Sequence, residues 1–515
     1  MQIRIIIPLI CVGVACVSPG WGWAAEARQG LIPLDAPALA RFIDQVIDGR
    51  LRAEQVQPAP AADDAEFLRR VYLDLHGVIP PAQRVAAFLD STDPDKRAQL
   101  VDELLASPRY GEHLADIWDD FLFPSGANQR IPREPLTRWL ADSFNRLTWD
   151  RLATAVLTAT GPQSQNGAVS YLLRGRETVS VTELTDIVSR YFLGVQMNCA
   201  QCHDHPFTDF TRQDYWGLAA FFTQVQRQER FAFNDIVDNP RVNLSRLEDY
   251  ENLKGVTPRF LKGQTLDPAS ELTYRQAFAR WLTAPENPYF ARAMVNRMWG
   301  QLFGRGLVHP VDDMHDGNPT SHPELLDELS RQFVAHDYDL KYLLRAICGS
   351  QAYQRSSRPA GNNATDQHLF SRMYVKVLTP EQMYDSLVAV FGPPARLPGG
   401  NARLGQRDEF IEAFRVDGEL EPTRYDRGIP QMLRMMNSPQ FLGLRREPAF
   451  LAEITASKSS AAAVEALYLR ILARRPTAEE RALMSDYIQQ HPGGGNVHAE
   501  IAWALVNSSE FSLNH

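Results

Sequence analysis

Apolar residues recur at intervals of three and four along most of this chain, and that period belongs to helices. Phe67, Leu68, Val71, Tyr72 and Leu75 form one stripe; Leu100, Val101, Leu104 and Leu105 form a second; Leu114, Ile117, Trp118 and Phe121 form a third. Runs that alternate at period two are scarce. The pattern predicts a mainly α fold of two helical domains, 40–235 and 270–512. A minor β or irregular connector is expected near residues 226–270, where Pro240, Pro258 and Pro268 interrupt a polar stretch. Ser180 with Glu183 and Ser321 to Glu324 read as capping boxes at helix starts, and Thr379 to Gln382 as the start of a further helix. The first of these opens a helix marked by Leu184, Ile187, Val188, Tyr191 and Val195, expected to run straight into Cys199.

Composition narrows the class. Of 515 residues, 44% are apolar and 22% charged, which fits folded domains and excludes a disordered or collagen-like chain. The formal charge of -9 carries no basic field, so no nucleic-acid partner is expected. Arg4, the apolar run Ile5 to Val17 and the small residues Ala25-Glu26-Ala27 read as a signal peptide over residues 1–25. An N-terminal anchor, or lipidation at Cys16, is the alternative. No later segment is long and apolar enough to span a bilayer, so the expectation is an exported protein, periplasmic or at the cell surface. Of its cysteines, Cys199, Cys202 and Cys348 follow that segment, too few for a disulfide scaffold.

Residues 197–207 read Met-Asn-Cys-Ala-Gln-Cys-His-Asp-His-Pro-Phe. Cys199, Cys202 and His203 form the C-x-x-C-H pattern of c-type haem attachment: two thiols become thioethers and the adjacent imidazole lies under the iron. Two other readings stay open. Cys199 and Cys202 with His203 or His205 suit zinc or another divalent metal. The two thiols alone suit a structural or redox disulfide in an oxidising compartment. Asp204 and Asp209 are candidates to orient either imidazole, or ordinary loop carboxylates.

A second polar cluster spans residues 309–324. His309, Asp312, Asp313, His315, Asp316 and His322 fall on a Gly- and Pro-rich loop before a helix. It offers a distal haem ligand, a separate metal site or a hydrolase centre; a turn-rich connector is the plain alternative. Cys348 reads as a buried thiol, and Met432, Met435 and Met436 as helix packing. No G-x-S-x-G, Walker loop or dinucleotide fingerprint is present.

Several longer motifs resemble one family. They are Phe67-Leu-Arg-Arg-Val-Tyr-Leu-Asp-Leu-His-Gly, Leu104-Leu-Ala-Ser-Pro-Arg-Tyr-Gly-Glu, the Cys199 to Phe207 segment with Ala219-Ala-Phe-Phe, Val295-Asn-Arg-Met-Trp, Ser321-His-Pro-Glu-Leu-Leu-Asp and Leu469 to Thr477. Together they resemble a planctomycete cytochrome-associated family of exported two-domain proteins (PSCyt/PSD type), over roughly residues 40 to 510. The resemblance implies association with cytochrome c modules and no defined biochemical activity. Relatives often carry a cytochrome c-like domain upstream; residues 26–60 leave no room for one here. The leading expectation is therefore a protein holding haem c on Cys199, Cys202 and His203, carrying electrons or performing redox chemistry on a partner protein or an extracellular substrate. The alternatives are a non-haem metal or disulfide-stabilised binding protein of a cell-surface polymer-degrading system, and a hydrolase using residues 309–324.

Overall fold

The computed structural model describes residues 32–123, 131–173, 179–230, 233–241, 245, 247, 249–392, 406–414, 454, 459–491 and 497–515. The expected signal peptide and Met432, Met435 and Met436 lie outside them. The described chain is mainly α, as the apolar period predicts. No described helix is long and apolar enough to cross a membrane.

Strand is confined to small pieces. The central connector holds an antiparallel hairpin of β2 (Val225–Arg230) and β3 (Phe233–Asp238), with β1 (Gly161–Pro162) on the other edge of β3. Far along the chain, β4 (Lys376–Val377) pairs with β5 (Leu513–Asn514), setting Lys376 opposite Asn514.

Two apolar cores organise the helices. The larger draws on residues from Ala36 to Tyr374, with Ala473 added from far along the chain. At its centre Trp149 stacks on Phe192 at 5.5 Å and on Phe290 at 5.7 Å, so residues far apart in sequence share one aromatic pile. The smaller joins Leu73 and Ile79 to Leu378, Leu387, Val464, Leu467, Ile471 and Phe511. The Asp64–His76 helix serves both, and every residue from Phe67 to His76 is buried.

Complete burial of that helix includes two arginines. Charged groups taken from water must be fully hydrogen-bonded or they cost several kcal/mol. Arg69 donates to the carbonyls of Glu510 (3.2 Å), Phe511 (2.7 Å) and Leu513 (3.3 Å), with Ile471 at 3.5 Å. Arg70 donates to Tyr353 O at 2.7 Å, Arg355 O at 2.9 Å and His515 O at 3.2 Å, and pairs with Glu66 at 2.6 Å. Desolvation brings Arg69 down to about 10, so it stays charged at neutral pH.

Two local expectations differ from the structure. The helix from residue 181 ends early. Val181–Ile187 is α-helical, Val188–Phe192 widens into a π-turn, and Gly194 takes φ 71°. A Cβ on Gly194 would meet Ala293 at 3.0 Å and the Met314 sulfur at 3.2 Å, so the chain must turn here on glycine. At Ser321 to Glu324, the Pro323–Ala335 helix has no side-chain cap. Ser321 instead donates to Leu307 O at 3.1 Å, tying the preceding loop shut.

Replacing Arg69 with Met keeps bulk but strips donors from a cluster of buried carbonyls. We expect Arg69→Met to lower stability by about 3 kcal/mol or more, read as the urea midpoint. Limited proteolysis should cut within 459–515 before it cuts the larger core.

Candidate functional site: the Cys199–His205 loop

After Gly194 the chain is pinned by buried Val195 and Met197 and then makes a single 3-10 turn, Asn198–Gln201. Ala200 faces inward; Cys199 and Cys202 are exposed, and neither forms a disulfide among the described residues. Trp216 Nε1 donates to Gln201 O at 3.0 Å and fastens the turn to the Arg212–Ala219 helix. The Asp204 side chain accepts from the Arg212 N–H at 2.8 Å, at the start of that helix. His205 N–H donates to Phe210 O at 2.8 Å and closes the loop. Lys262 reaches the Asp209 carbonyl and lies 3.2 Å from Asp214. Asp209 therefore serves loop closure. Asp204 does this with its carboxylate, while its carbonyl meets His203.

The three imidazoles here are not equivalent. His203 Nδ1 lies 2.8 Å from Asp204 O, an acceptor only, so Nδ1 carries the proton. The exposed Nε2 of neutral His203 is left as a lone pair. His205 Nδ1 accepts from the Phe207 N–H at 3.3 Å, and His315 Nδ1 from the Gly317 N–H at 3.0 Å. In their neutral forms these two carry the proton on Nε2, and that of His315 lies 3.6 Å from Asp313 Oδ1. Among the three, His203 has the tautomer that a metal-ligating Nε2 needs, with a backbone carbonyl as its orienting partner.

The second cluster is brought onto the first. Buried Asp312 accepts from Arg190 Nε at 2.5 Å and Gln196 Nε2 at 3.3 Å, and the Met314 N–H donates to Gly194 O at 2.9 Å. A Cβ on Gly317 would lie 3.6 Å from Phe207 O, so the two loops touch. His205 is held below its usual range first by partial desolvation, then by His315; Asp313 opposes this and His203 adds to it. The structure thus gathers Cys199, Cys202, His203, His205, Asp313 and His315 at one locality. Among the described residues, no three His, Cys, Asp or Glu side chains are arranged to hold a metal ion. Phe207, at the loop tip, is 82% exposed, unusual for an aromatic ring.

Other expected residues lie elsewhere. His322 is buried against the Phe370 ring at 5.6 Å, with Nδ1 3.0 Å from Ser321 Oγ. His309 is half-buried, and its carbonyl accepts from Asn318 Nδ2 at 3.3 Å. Cys348 is buried, as expected for a core thiol. Three largely buried carboxyl groups are not marked by the sequence pattern. Burial pushes Asp119 up to about 7 against the pull of Arg133, 2.6 Å away, and also raises Asp116 and Glu381. The i, i+3 spacing of Asp116 and Asp119 was visible, but not their burial.

His322 makes stability pH-dependent. Desolvation lowers its pKa from 6.5 to about 4. The unfolded chain then binds a proton in a range where the folded chain does not, so stability falls as pH drops from 6.5 toward 4. We expect the loss between pH 7 and pH 4.5 to shrink by about 2 to 3 kcal/mol in His322→Phe, measured as urea midpoints.

Comparison with known families follows the division between these two loops. Residues 42–227 match the PSCyt2 model, described as a protein of unknown function (DUF1549). Residues 274–425 match the PSD1 model, likewise a protein of unknown function (DUF1553). Neither a curated protein nor a solved structure matches the chain. The chain therefore carries the domain pair typical of the planctomycete-type family it resembles, its Cys–His loop on the PSCyt2 region and the loop at 309–324 on the PSD1 region.

Proposed function

We propose that this chain is an exported protein holding one haem c, with Cys199 and Cys202 as the thioether residues and His203 as the axial ligand. The observation that carries this reading is the His203 imidazole: its Nδ1 is tied to Asp204 O at 2.8 Å, which leaves Nε2 as a lone pair beside two exposed, unpaired thiols. The donor set fits the group. Covalent attachment needs two accessible thiols three residues apart and an adjacent imidazole with its far nitrogen free, and each is present. The exposed Phe207 ring adds apolar surface next to it.

When bound, haem supplies a one-electron couple. The chain's own residues fix the rest. The Asp204 carbonyl orients the imidazole and makes it a better electron donor, while Trp216 and Arg212 hold the turn in place. His205 and His315, each with Nε2–H, are preset as hydrogen-bond donors rather than ligands. On this reading the protein serves electron transfer with a partner protein.

The test is expression with export in a host that matures c-type cytochromes, followed by a haem stain on a denaturing gel. A stained band at the size of the chain is expected, lost when Cys199 and Cys202 are both replaced by Ser. His203→Ala should retain stain yet shift the absorption spectrum, because the axial ligand is gone. An unstained band from the wild-type chain overturns the proposal. About one zinc per chain in that sample would favour a metal site on Cys199, Cys202 and an imidazole.

A further inference from the structure

The C-terminal end of the Asp64–His76 helix gathers three side chains that the haem reading does not use. Asp74, Lys376 and Asn514 are all buried, with 5%, 5% and 2% of their surfaces exposed. The β4–β5 pairing sets Lys376 directly opposite Asn514. One carboxylate oxygen, Asp74 Oδ1, accepts from Lys376 Nζ at 2.5 Å and from Asn514 Nδ2 at 2.7 Å. Its other oxygen accepts from Tyr353 OH at 2.8 Å. The Asn514 carbonyl oxygen is buried and has no hydrogen-bond partner among the described residues.

An orphaned carbonyl beside an amine and a carboxyl group, all shielded from water, is an arrangement suited to acyl transfer. Lys376 is held at one point, since Nζ also donates to Gln301 O at 3.0 Å and Leu302 O at 2.6 Å. Burial lowers its pKa, opposed by Asp74, so the proton that must leave before the amine can attack is easier to remove. Both groups are held on one carboxylate oxygen, which lowers the entropic barrier to their meeting.

We propose that Lys376 Nζ and Asn514 Cγ become joined by an intramolecular isopeptide bond, with Asp74 as the proton carrier. Asp74 takes a proton from the Lys376 ammonium, and the freed amine attacks Cγ. Turning the Asn514 amide over places its oxygen on the protonated Asp74, which polarises it. A new C–N bond forms, the original carboxamide C–N bond breaks, and the nitrogen leaves as an ammonium ion carrying both protons given up by Lys376, relayed by Asp74. A primary amide and an alkylammonium become a secondary amide and an ammonium ion. Asp74 ends as it began, and no oxidant or co-reactant is consumed. The bond would bind β4 to β5 covalently in a chain with few cysteines.

The purified full-length chain is denatured, digested with trypsin and read by tandem mass spectrometry. An isopeptide blocks cleavage after Lys376. The expected product is the peptide Met373 to Arg396 joined to Ala482 to His515, lighter than their sum by one ammonia. Asp74→Asn should yield both peptides unlinked, with cleavage restored after Lys376; Asn514→Ala should do the same even if Asp74→Asn fails to fold. Full recovery of unlinked peptides from the wild-type chain overturns the proposal and leaves Lys376 as an ammonium capping the Gln301 and Leu302 carbonyls. A bond from Lys376 to the Asp74 peptide, with loss of one water, overturns it as well.

Discussion

Two guanidinium groups on the Asp64–His76 helix cannot be left without acceptors, and much of the architecture answers that demand. Helix carbonyls are already used within the helix, so Arg69 and Arg70 must look elsewhere. Arg69 takes carbonyls from residues 510–513, and Arg70 takes them from residues 353, 355 and 515. Asp74, one turn on, completes the set with Tyr353, Lys376 and Asn514. The apolar faces of the same helix supply Phe67 and Leu68 to one core and Leu73 to the other. Burial by area and satisfaction of charge thus converge on one short element. A surplus of apolar contact is what makes so polar a junction sustainable.

The candidate site depends on a second ionic clamp. Asp312 is buried in the loop that carries His315, and its partner Arg190 sits on the π-turn that precedes the cysteines. The pair, together with the Met314 to Gly194 bond, sets how far His315 stands from His205. One loop comes from the PSCyt2 region and the other from the PSD1 region. The electrostatic environment of His205 is therefore built by both halves, while the tautomer of His203 is set within its own loop.

Legibility in the sequence followed the range of the interactions. The helical class was readable because Phe67, Val71 and Leu75 repeat locally, and the strands of the connector because its period breaks. The Cys199–His203 spacing was readable for the same reason. What governs the site beyond it was not. The early end of the helix before Cys199 follows from Gly194 meeting Ala293 and Met314, contacts roughly a hundred residues away. The burial of Arg69 and Arg70 breaks the rule that arginine faces water, and their partners lie hundreds of positions downstream. A polar cluster such as 309–324 looks alike in sequence whether its members converge or part; here His315 joined the first loop and His322 turned into the core.

The reach of Arg69 has a temporal side. Its acceptor at Phe511 is synthesised 442 positions after it. A ribosome adding residues one by one delivers the helix long before the strand that receives it, and a translocating chain would emerge in the same order. Until residues 510–515 arrive, Arg69 lacks its closest acceptors and Arg70 the last of its own, so the helix cannot take up its final place. An early helix and the last described residues are thus locked in one step, and an interrupted chain would leave a charged, unclosed seam for proteases to find.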